Sequence, residues 1–163
     1  KNWYDQASLR ASVVERFSAY GIGQNRIMFT FKADAMKEHL GRYNEVDIAL
    51  DPFPFNGATT TFQALWMGVP VVSLAGETFM SSATGSILHP GDLGDLVVDT
   101  PESYVTCARD LAGDVARLRT LRATLRERIA ASPLCNSTDH ARSVEAAYRV
   151  MWQKWCNKHG SIP

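Results

Sequence analysis

The sequence lacks an excess of either charge and a long hydrophobic run, and its first residues, KNWYDQAS, contain no apolar stretch of the kind found in signal peptides. Lysine plus arginine and aspartate plus glutamate each number 17, so the formal net charge is zero. Without a basic excess the chain has no overall field that attracts nucleic acid or anionic lipid, and any anion must be bound locally. No apolar run approaches the roughly 20 residues that a membrane-spanning helix needs. We therefore expect no nucleic-acid or membrane partner.

Cysteine is also scarce, with three residues that are widely spaced, namely Cys107, Cys135 and Cys156. An odd number of cysteines in no metal-ligand pattern favours reduced thiols, no metal site and a cytoplasmic location. The 163 residues, 45% hydrophobic, have the size and composition of one globular domain. Because Lys1 is not preceded by a methionine and the first segments read as the middle of a fold, we expect part of a longer polypeptide.

Strand-like and helix-like segments alternate through the first hundred residues. Helical spacing and stop signals predict helices over residues 8–20, 35–44 (with Asp34 as the cap), 60–67 and 79–88. Compact apolar runs predict strands over residues 25–31, 46–53, 69–76 and 95–98. This order favours an α/β fold with a Rossmann-like parallel sheet and flanking helices.

The chain becomes helical from Pro101, which suits a first helical position. An apolar stripe is formed by Leu118, Leu121, Leu125 and Ile129. Five arginines lie elsewhere on the same helix, at positions 117, 119, 122, 126 and 128. They are compatible with a phosphate-binding surface, but a solvated face is the more common role of such charges.

A final helix is predicted from about Thr138. Its apolar residues share one stripe: Val144, Tyr148, Met151, Trp152 and Trp155. We interpret this stripe as a packing surface rather than a cofactor site, and we expect it to dock onto another part of the protein.

The segment FPFNGATTTFQALWMGVP, residues 53–70, predicts an anion site. It leaves a strand through two prolines, and Gly57 permits a special backbone conformation or a close approach by a ligand. Thr59, Thr60 and Thr61 then begin a helix, where unpaired N–H groups and the positive end of the helix dipole favour phosphate. The alternative is that one threonine merely caps the helix.

Further polar residues are candidates for the same site. Gln63 lies one turn into the helix, where its amide could reach a ribose hydroxyl. Lys37, His39 and Arg42 come from the preceding helix and could hold phosphate or base edges. The alternative for each of them is an ordinary polar helix position.

Together these segments resemble a known family. The chain is similar to the C-terminal catalytic half of the protein O-GlcNAc transferases, including bacterial members and the SPINDLY-type protein O-fucosyltransferases. Three stretches carry the similarity: VDIALDPFPFNGATTTFQALWMGVPVVSLAGETF, ESYVTCARDLAGDVARLRTLRATLRERIAASPLCN and YRVMWQKW. The resemblance implies one domain, residues 1–163, from the C-terminal half of a GT-B glycosyltransferase. It also implies an absent N-terminal half and, before it, tetratricopeptide repeats.

The resemblance assigns roles to individual residues. Thr59 and Thr60 match threonines that bind the donor diphosphate. His39 and Arg42 match residues near the nucleotide base, and Lys37 lies beside a family lysine. Glu77 belongs to a G-E-T turn that faces the same crevice.

Three positions depart from the O-GlcNAc transferases. Ala58 stands where they carry a histidine on the pyrophosphate, Gln63 where they carry a ribose-binding aspartate, and Ser82 where they carry an arginine. The run G-A-T-T-T is closer to the SPINDLY-type pattern, whose implied donor is GDP-fucose. The run GETF, in contrast, matches the O-GlcNAc transferase sequence. UDP-GlcNAc and GDP-fucose therefore both stand as donor types.

The function implied is inverting, metal-independent transfer of a sugar from a nucleotide donor to a protein serine or threonine hydroxyl. No cofactor is expected, because the nucleotide sugar is a substrate. No general base is assigned in this chain, so the fragment alone is expected to be inactive. The alternatives are a nucleotide-binding module that has lost catalysis and a protein-interaction module.

Overall fold

The computed structural model describes residues 6–30 and 35–160, which form two compact units. The first unit ends at Arg42 and the second begins at Tyr43. The first contains α1 (Ala7–Ser18), a 3-10 turn (Gln24–Arg26) and α2 (Met36–Gly41), and a second 3-10 turn (Arg42–Glu45) leads onward. The helix predicted over residues 8–20 is thereby confirmed, while the predicted cap Asp34 lies outside the described residues and Ala35 takes the N-cap position.

The second unit alternates strands and helices before it becomes helical. Its elements are β1 (Ala49–Leu50), α3 (Thr59–Trp66), β2 (Val71–Leu74), α4 (Phe79–Leu88), β3 (Val97–Val98), α5 (Pro101–Gly113), α6 (Val115–Ala131) and α7 (Ser137–His159). Short 3-10 turns lie at His89–Gly91, Gly94–Leu96 and Pro133–Cys135. This order confirms the α/β prediction.

The strands pair in parallel in the order β1-β2-β3. Ala49 lies opposite Val71, and Ser73 lies opposite Val97. Parallel neighbours need crossover connections, which α3 and α4 provide. The core forms where these elements meet α6, and its fully buried members include Leu65, Val69, Val72, Leu88, Leu96, Leu125 and Ile129. Each such side chain contributes roughly 1.5–3 kcal/mol by its removal from water.

The turn between α3 and β2 depends on Gly68. Its φ of +80° is in the left-handed region, and a Cβ there would lie 2.6 Å from the Arg122 carbonyl oxygen. Only glycine combines that backbone conformation with so close an approach. The turn therefore fixes α3 against α6.

The arginines of α6 are not simply a solvated face, so that interpretation is corrected. The guanidinium of Arg122 is partly buried and donates to the carbonyls of Tyr43 (3.1 Å), Met67 (3.0 Å) and Val46 (2.7 Å). Arg128 donates to the carbonyls at positions 91 and 92, and Arg126 to that of Trp66. Helix periodicity shows which residues share a face, but it does not show which loop ends in unpaired carbonyls opposite that face.

The strand predicted over residues 25–31 does not form in its described part. Gln24–Arg26 is a 3-10 turn and residues 27–30 have no strand pairing. Met28 is 67% exposed, so one side of this apolar run lies in solvent. A strand needs a neighbour for its ladder bonds, and none pairs with this segment within the described ranges.

The last helix, α7, has the predicted apolar stripe but buries none of its residues. Trp152 and Trp155 are 57% and 41% exposed, and their rings stack at a centroid distance of 5.3 Å. The described part of the chain therefore shows no element covering this face, and the predicted docking stays a prediction.

Candidate functional site at the carboxyl edge of the sheet

The carboxyl ends of the three strands meet at one edge of the sheet. Asp51 follows β1, residues 75–78 follow β2, and Asp99 follows β3. The next helix along the chain begins from each of these exits. In open parallel sheets ligands bind at this edge, because the helix N-termini point toward it.

Asp51 is the centre of a buried polar network at this edge. The residue is 5% exposed, and its carboxylate accepts from the Gly57 N–H at 2.7 Å and from the Ser73 hydroxyl at 2.8 Å. Its carbonyl accepts from the Tyr104 hydroxyl at 3.0 Å. A buried carboxylate needs such donors to replace water. The network therefore joins β1, β2, α5 and the loop that precedes α3.

The same network affects the titration of Tyr104. Burial raises the pKa of its phenol above the ordinary value of 10.0, and the negative charge of Asp51 raises it further. Both effects disfavour the phenolate. Tyr104 therefore stays protonated and remains a donor to the Asp51 carbonyl through neutral pH.

Gly57 is held on both sides of its backbone. Its N–H donates to Asp51, and its carbonyl accepts from the Thr84 hydroxyl of α4 at 2.8 Å. A Cβ at this position would lie 2.7 Å from Thr60 Oγ1, 2.8 Å from Thr61 Oγ1 and 3.3 Å from Asp51 Oδ1. The position therefore requires glycine because the protein's own side chains pack closely around the backbone, and the predicted close approach of a ligand stays a prediction.

Helix α3 begins with unpaired donors. Its N-cap residue is Ala58, whose side chain cannot accept a hydrogen bond. Phe62 N–H bonds the Ala58 carbonyl at 3.0 Å, whereas the N–H groups of Thr59, Thr60 and Thr61 have no acceptor within residues 6–30 and 35–160. The alternative that one threonine caps this helix is thus not what the structure shows. Three amides are left for a ligand or solvent.

The three threonine side chains differ in their surroundings. Thr59 and Thr60 are exposed at the first turn of α3. Thr61 is 3% exposed, and its hydroxyl lies 3.2 Å from the hydroxyl of Thr84. Thr59 and Thr60 therefore lie on the solvent-facing side of the helix start, while the Thr61 hydroxyl joins α3 to α4.

The G-E-T turn begins α4 at the same edge. Thr78 is the N-cap, its hydroxyl accepting from Ser81 N–H at 3.2 Å while its own N–H donates to the Ser81 hydroxyl at 3.1 Å. Gly76 packs against the Ser81 side chain so closely that a Cβ would collide with it. Glu77 lies between Gly76 and Thr78 and is exposed. The turn is thus rigidly capped, with Glu77 directed away from the protein interior.

The other predicted residues lie further from this helix start or in the first unit. Gln63 is half-buried, one turn into α3. Lys37 and His39 lie on α2, and Arg42 pairs with Glu38 at 2.8 Å. The structure describes these three basic residues within the first unit only. Their role beside a nucleotide base stays a prediction.

A cavity of about 550 Å³ lies at the opposite edge of the sheet. Its lining includes Asp47 and Ile48 before β1, Gly68 before β2, and the junction of α5 with α6. These positions are at the amino ends of the strands, so this cavity is separate from the predicted anion site. Over residues 6–30 and 35–160, no three His, Cys, Asp or Glu side chains are grouped as metal ligands.

Comparison with known proteins assigns this fold. The profile of "Glycosyl transferase family 41" matches residues 6–144. The chain belongs to glycosyl transferase family 41. The structure is also similar to a mutant of the Thermobaculum terrenum O-GlcNAc transferase, with a TM-score of 0.85 and 32% identity over 94% of this chain and 29% of that one. The α/β domain is therefore that of a GT-B glycosyltransferase, and the match lies in the catalytic region.

Curated relatives of this family-41 chain include plant proteins. Two are named probable UDP-N-acetylglucosamine–peptide N-acetylglucosaminyltransferase SPINDLY. The Hordeum vulgare protein is 37% identical over 92% of this chain and 16% of its own length. The Arabidopsis thaliana protein is 43% identical over 77% and 14%. The chain therefore spans less than a fifth of either relative.

The sequence pattern did not single out the residues that hold the candidate site together. Asp51, Ser73, Thr84 and Tyr104 were not selected, although Asp51 ends an apolar strand and Ser73 interrupts another. Asn56 was missed as well: it is 2% exposed, and its Oδ1 has no hydrogen-bond partner among the described residues. A polar residue inside or directly after an apolar strand was the available signal. No described helix is long and apolar enough to cross a membrane.

Proposed function

We propose that this chain is the donor-binding half of a family-41 glycosyltransferase and that α3 binds the diphosphate of a nucleotide sugar. The observation that carries the proposal is the helix start at Thr59, where three N–H groups are unpaired within the described residues and two threonines are exposed. This arrangement binds an anion without any excess of basic residues. It agrees with a chain whose formal net charge is zero.

The same arrangement supports chemistry on the donor. When the bond between sugar and diphosphate breaks, negative charge develops on the leaving phosphate. N–H groups already fixed in direction stabilise that charge without reorganising during the reaction. We propose that the α3 amides, with the Thr59 and Thr60 hydroxyls, do this in an inverting transfer that needs no metal ion.

The acceptor is proposed to be a protein serine or threonine. Two plant relatives carry the word peptide in their names, and each is several times longer than this chain. The general base and the acceptor groove would then lie in an N-terminal half, with tetratricopeptide repeats before it, in a cytoplasmic protein. This chain would supply the leaving-group side of the site.

The donor is proposed to be UDP-GlcNAc or GDP-fucose in type. The relatives' names specify UDP-N-acetylglucosamine. Ala58, Gln63 and Ser82 stand where the O-GlcNAc transferase pattern has histidine, aspartate and arginine, which favours the SPINDLY-type alternative. Ala58 is the N-cap of α3 itself, so this departure falls beside the proposed diphosphate.

The exposed stripe of α7 is proposed to pack against the N-terminal half. Tyr148 and Met151 are 66% and 54% exposed, beside the stacked pair Trp152 and Trp155. If that half covers them, Trp152→Lys should lower the melting temperature of the intact protein far more than that of residues 1–163 alone. Equal shifts in both would refute this packing. Arg149→Glu, on the same helix, serves as the control for a changed surface charge.

A transfer assay with the intact protein tests the proposal. Purified protein is incubated with UDP-GlcNAc or GDP-fucose and a serine- and threonine-rich acceptor protein, with and without EDTA. We expect the protein to transfer sugar from one of the two donors, and we expect this transfer to continue in the presence of EDTA. Loss of transfer in EDTA would refute the metal-independent mechanism.

A second candidate is a nucleotide-binding module that has lost catalysis, favoured by the absence of the family histidine at Ala58 and aspartate at Gln63. It predicts saturable nucleotide binding without transfer. An absence of binding to any UDP or GDP compound would leave the third alternative, a protein-interaction module.

A further inference from the structure

The buried carboxylate of Asp51 has no cation beside it. At 5% exposure it makes no ion pair with any described residue, and its partners are an amide and a hydroxyl. Burial of a charge costs free energy unless it is strongly hydrogen-bonded. A neutral side chain would avoid this cost, so stability alone gives little reason for a carboxylate at this position.

The geometry around Gly57 indicates what the carboxylate does. Asp51 Oδ1 holds the Gly57 N–H at 2.7 Å, while Thr84 holds the Gly57 carbonyl at 2.8 Å. The peptide groups on both sides of Gly57 are therefore fixed in direction from two elements. The next residues along the chain are Ala58, the N-cap, and Thr59, the first residue of α3.

The other bonds of Asp51 fix the carboxylate itself. Ser73 Oγ donates to Oδ2 from the neighbouring strand, and Tyr104 donates to the main-chain carbonyl from α5. The Asp51 N–H donates to the Val72 carbonyl at 2.9 Å within the sheet. The carboxylate is thus oriented by the rigid sheet and transmits that orientation to the loop before α3.

We infer that Asp51 is a positioning residue, which sets the direction of the α3 amides toward the donor diphosphate through the Gly57 N–H. This inference rests on the proposed function, since it concerns the same anion site. Asp51 does not touch the donor. It decides whether the N–H groups of Thr59, Thr60 and Thr61 converge on one anion or diverge from it.

The test is the affinity of UDP and GDP for the intact protein, measured by calorimetry on four variants. Asp51→Ala removes both side-chain acceptors and should weaken binding about tenfold or more, the scale of one hydrogen bond to a charged group. Asp51→Asn keeps an oxygen for Gly57 and should stay within about threefold of the original chain. Asp47→Ala, at the exposed amino end of β1, is the matched control and should change nothing.

The fourth variant, Ser73→Ala, separates positioning from stability. It removes the bond to Oδ2 but leaves the bond between Asp51 and Gly57. If Asp51 acts only through stability, affinity should fall in proportion to the lowered melting temperature in both Ser73→Ala and the Asp51 variants. Positioning predicts a large affinity loss for Asp51→Ala and a clearly smaller one for Ser73→Ala, which removes only one of the bonds that orient the carboxylate. Should Asp51→Ala fail to fold, Asp51→Leu takes its place, because it keeps most of the side-chain volume but has no acceptor for the Gly57 N–H; the same large loss of affinity is expected, and an unchanged affinity would overturn the positioning role.

The outcomes separate the inference from the proposed function. Saturable binding by the original chain, with unchanged affinity in Asp51→Ala, overturns the positioning role alone. If the original chain binds neither UDP nor GDP, the proposed function and the positioning role both fail. Lower affinity in Asp51→Ala with recovery in Asp51→Asn supports both.

Discussion

A single methyl group at Gly57 should perturb both stability and donor binding. In Gly57→Ala the new Cβ would lie 2.7 Å from Thr60 Oγ1 and 2.8 Å from Thr61 Oγ1. Both distances are below van der Waals contact, so one or both hydroxyls must move. The Thr61 hydroxyl is buried against Thr84 and has little room, which leaves Thr60 and the loop to adjust.

The size of the effect follows from this crowding. Insertion of one methyl group into a tightly packed position costs about 1–3 kcal/mol of unfolding free energy. We expect Gly57→Ala to fall within this range, since Asp51 Oδ1 also lies only 3.3 Å from the new atom. Displacement of the Thr60 hydroxyl should in addition weaken nucleotide binding, by roughly the 1.5–3 kcal/mol of a hydrogen bond to a charged group.

The assay is urea unfolding of the intact protein, followed by titration with UDP and GDP under conditions where the variant is folded. Gly113→Ala is the matched control, because a Cβ there meets no atom within 4 Å at the end of α5. The control should be neutral or more stable by less than about 1 kcal/mol. Equal stability of Gly57→Ala and Gly113→Ala would refute the packing argument.

Three further predictions concern the scaffold of the site. Arg122→Met should lower the unfolding free energy by about 2–4 kcal/mol, because three carbonyls lose their donor. The control Arg119→Met should change it by less than about 0.5 kcal/mol in the same urea titration. Thr61→Val should cost about 1–2 kcal/mol through the lost bond to Thr84, with little change in nucleotide affinity; a large loss of affinity would show that its hydroxyl reaches the ligand. Because the pKa of the Tyr104 phenol is raised in the folded protein, the unfolded chain loses the phenol proton at a lower pH than the folded protein does. The stabilisation that the protonated phenol gives the fold is therefore complete below pH 10 and falls as the pH rises beyond 10. Tyr104→Phe should flatten this alkaline decline, and an unchanged decline would contradict the assigned cause.

Much of the second unit could be predicted from local sequence. The helix predicted over residues 79–88 forms with those bounds, and the one predicted over 60–67 forms as Thr59–Trp66. The glycine that follows α3, Gly68, the Thr78 cap of α4 and the apolar spacing of both helices are local signals. The strands were also placed correctly, but each is only two to four residues long, because pairing and not apolar character sets where a strand ends.

What sequence reasoning missed was long-range. The bond from Tyr104 to Asp51 joins residues 53 positions apart, and that from Arg122 to Tyr43 joins residues 79 apart. No local pattern identifies such pairs. The same limit applies to Thr61. Because it follows two other threonines, the sequence does not distinguish it as the one whose hydroxyl lies inward against Thr84.

The sequence predicted where the helix start of the candidate site lies in the fold, but not the contacts that hold it in place. Gly57 and the following threonines were expected to start a helix at the carboxyl edge of the sheet, and they do. That Ala58 would be the N-cap, leaving the amides unpaired, depends on where the helix begins to within one residue. The tertiary contacts of Gly57 with Asp51 and Thr84 set that point.

The most direct test of the account is the affinity of the intact protein for UDP and GDP, compared with the double variant Thr59→Val with Thr60→Val. Both residues are exposed, and their hydroxyls are the side-chain part of the proposed diphosphate site. We predict saturable binding by the original chain and a loss of up to a few kcal/mol in the variant, the scale of lost hydrogen bonds to a charged group. Equal affinity of the two proteins would contradict the diphosphate role assigned to the start of α3.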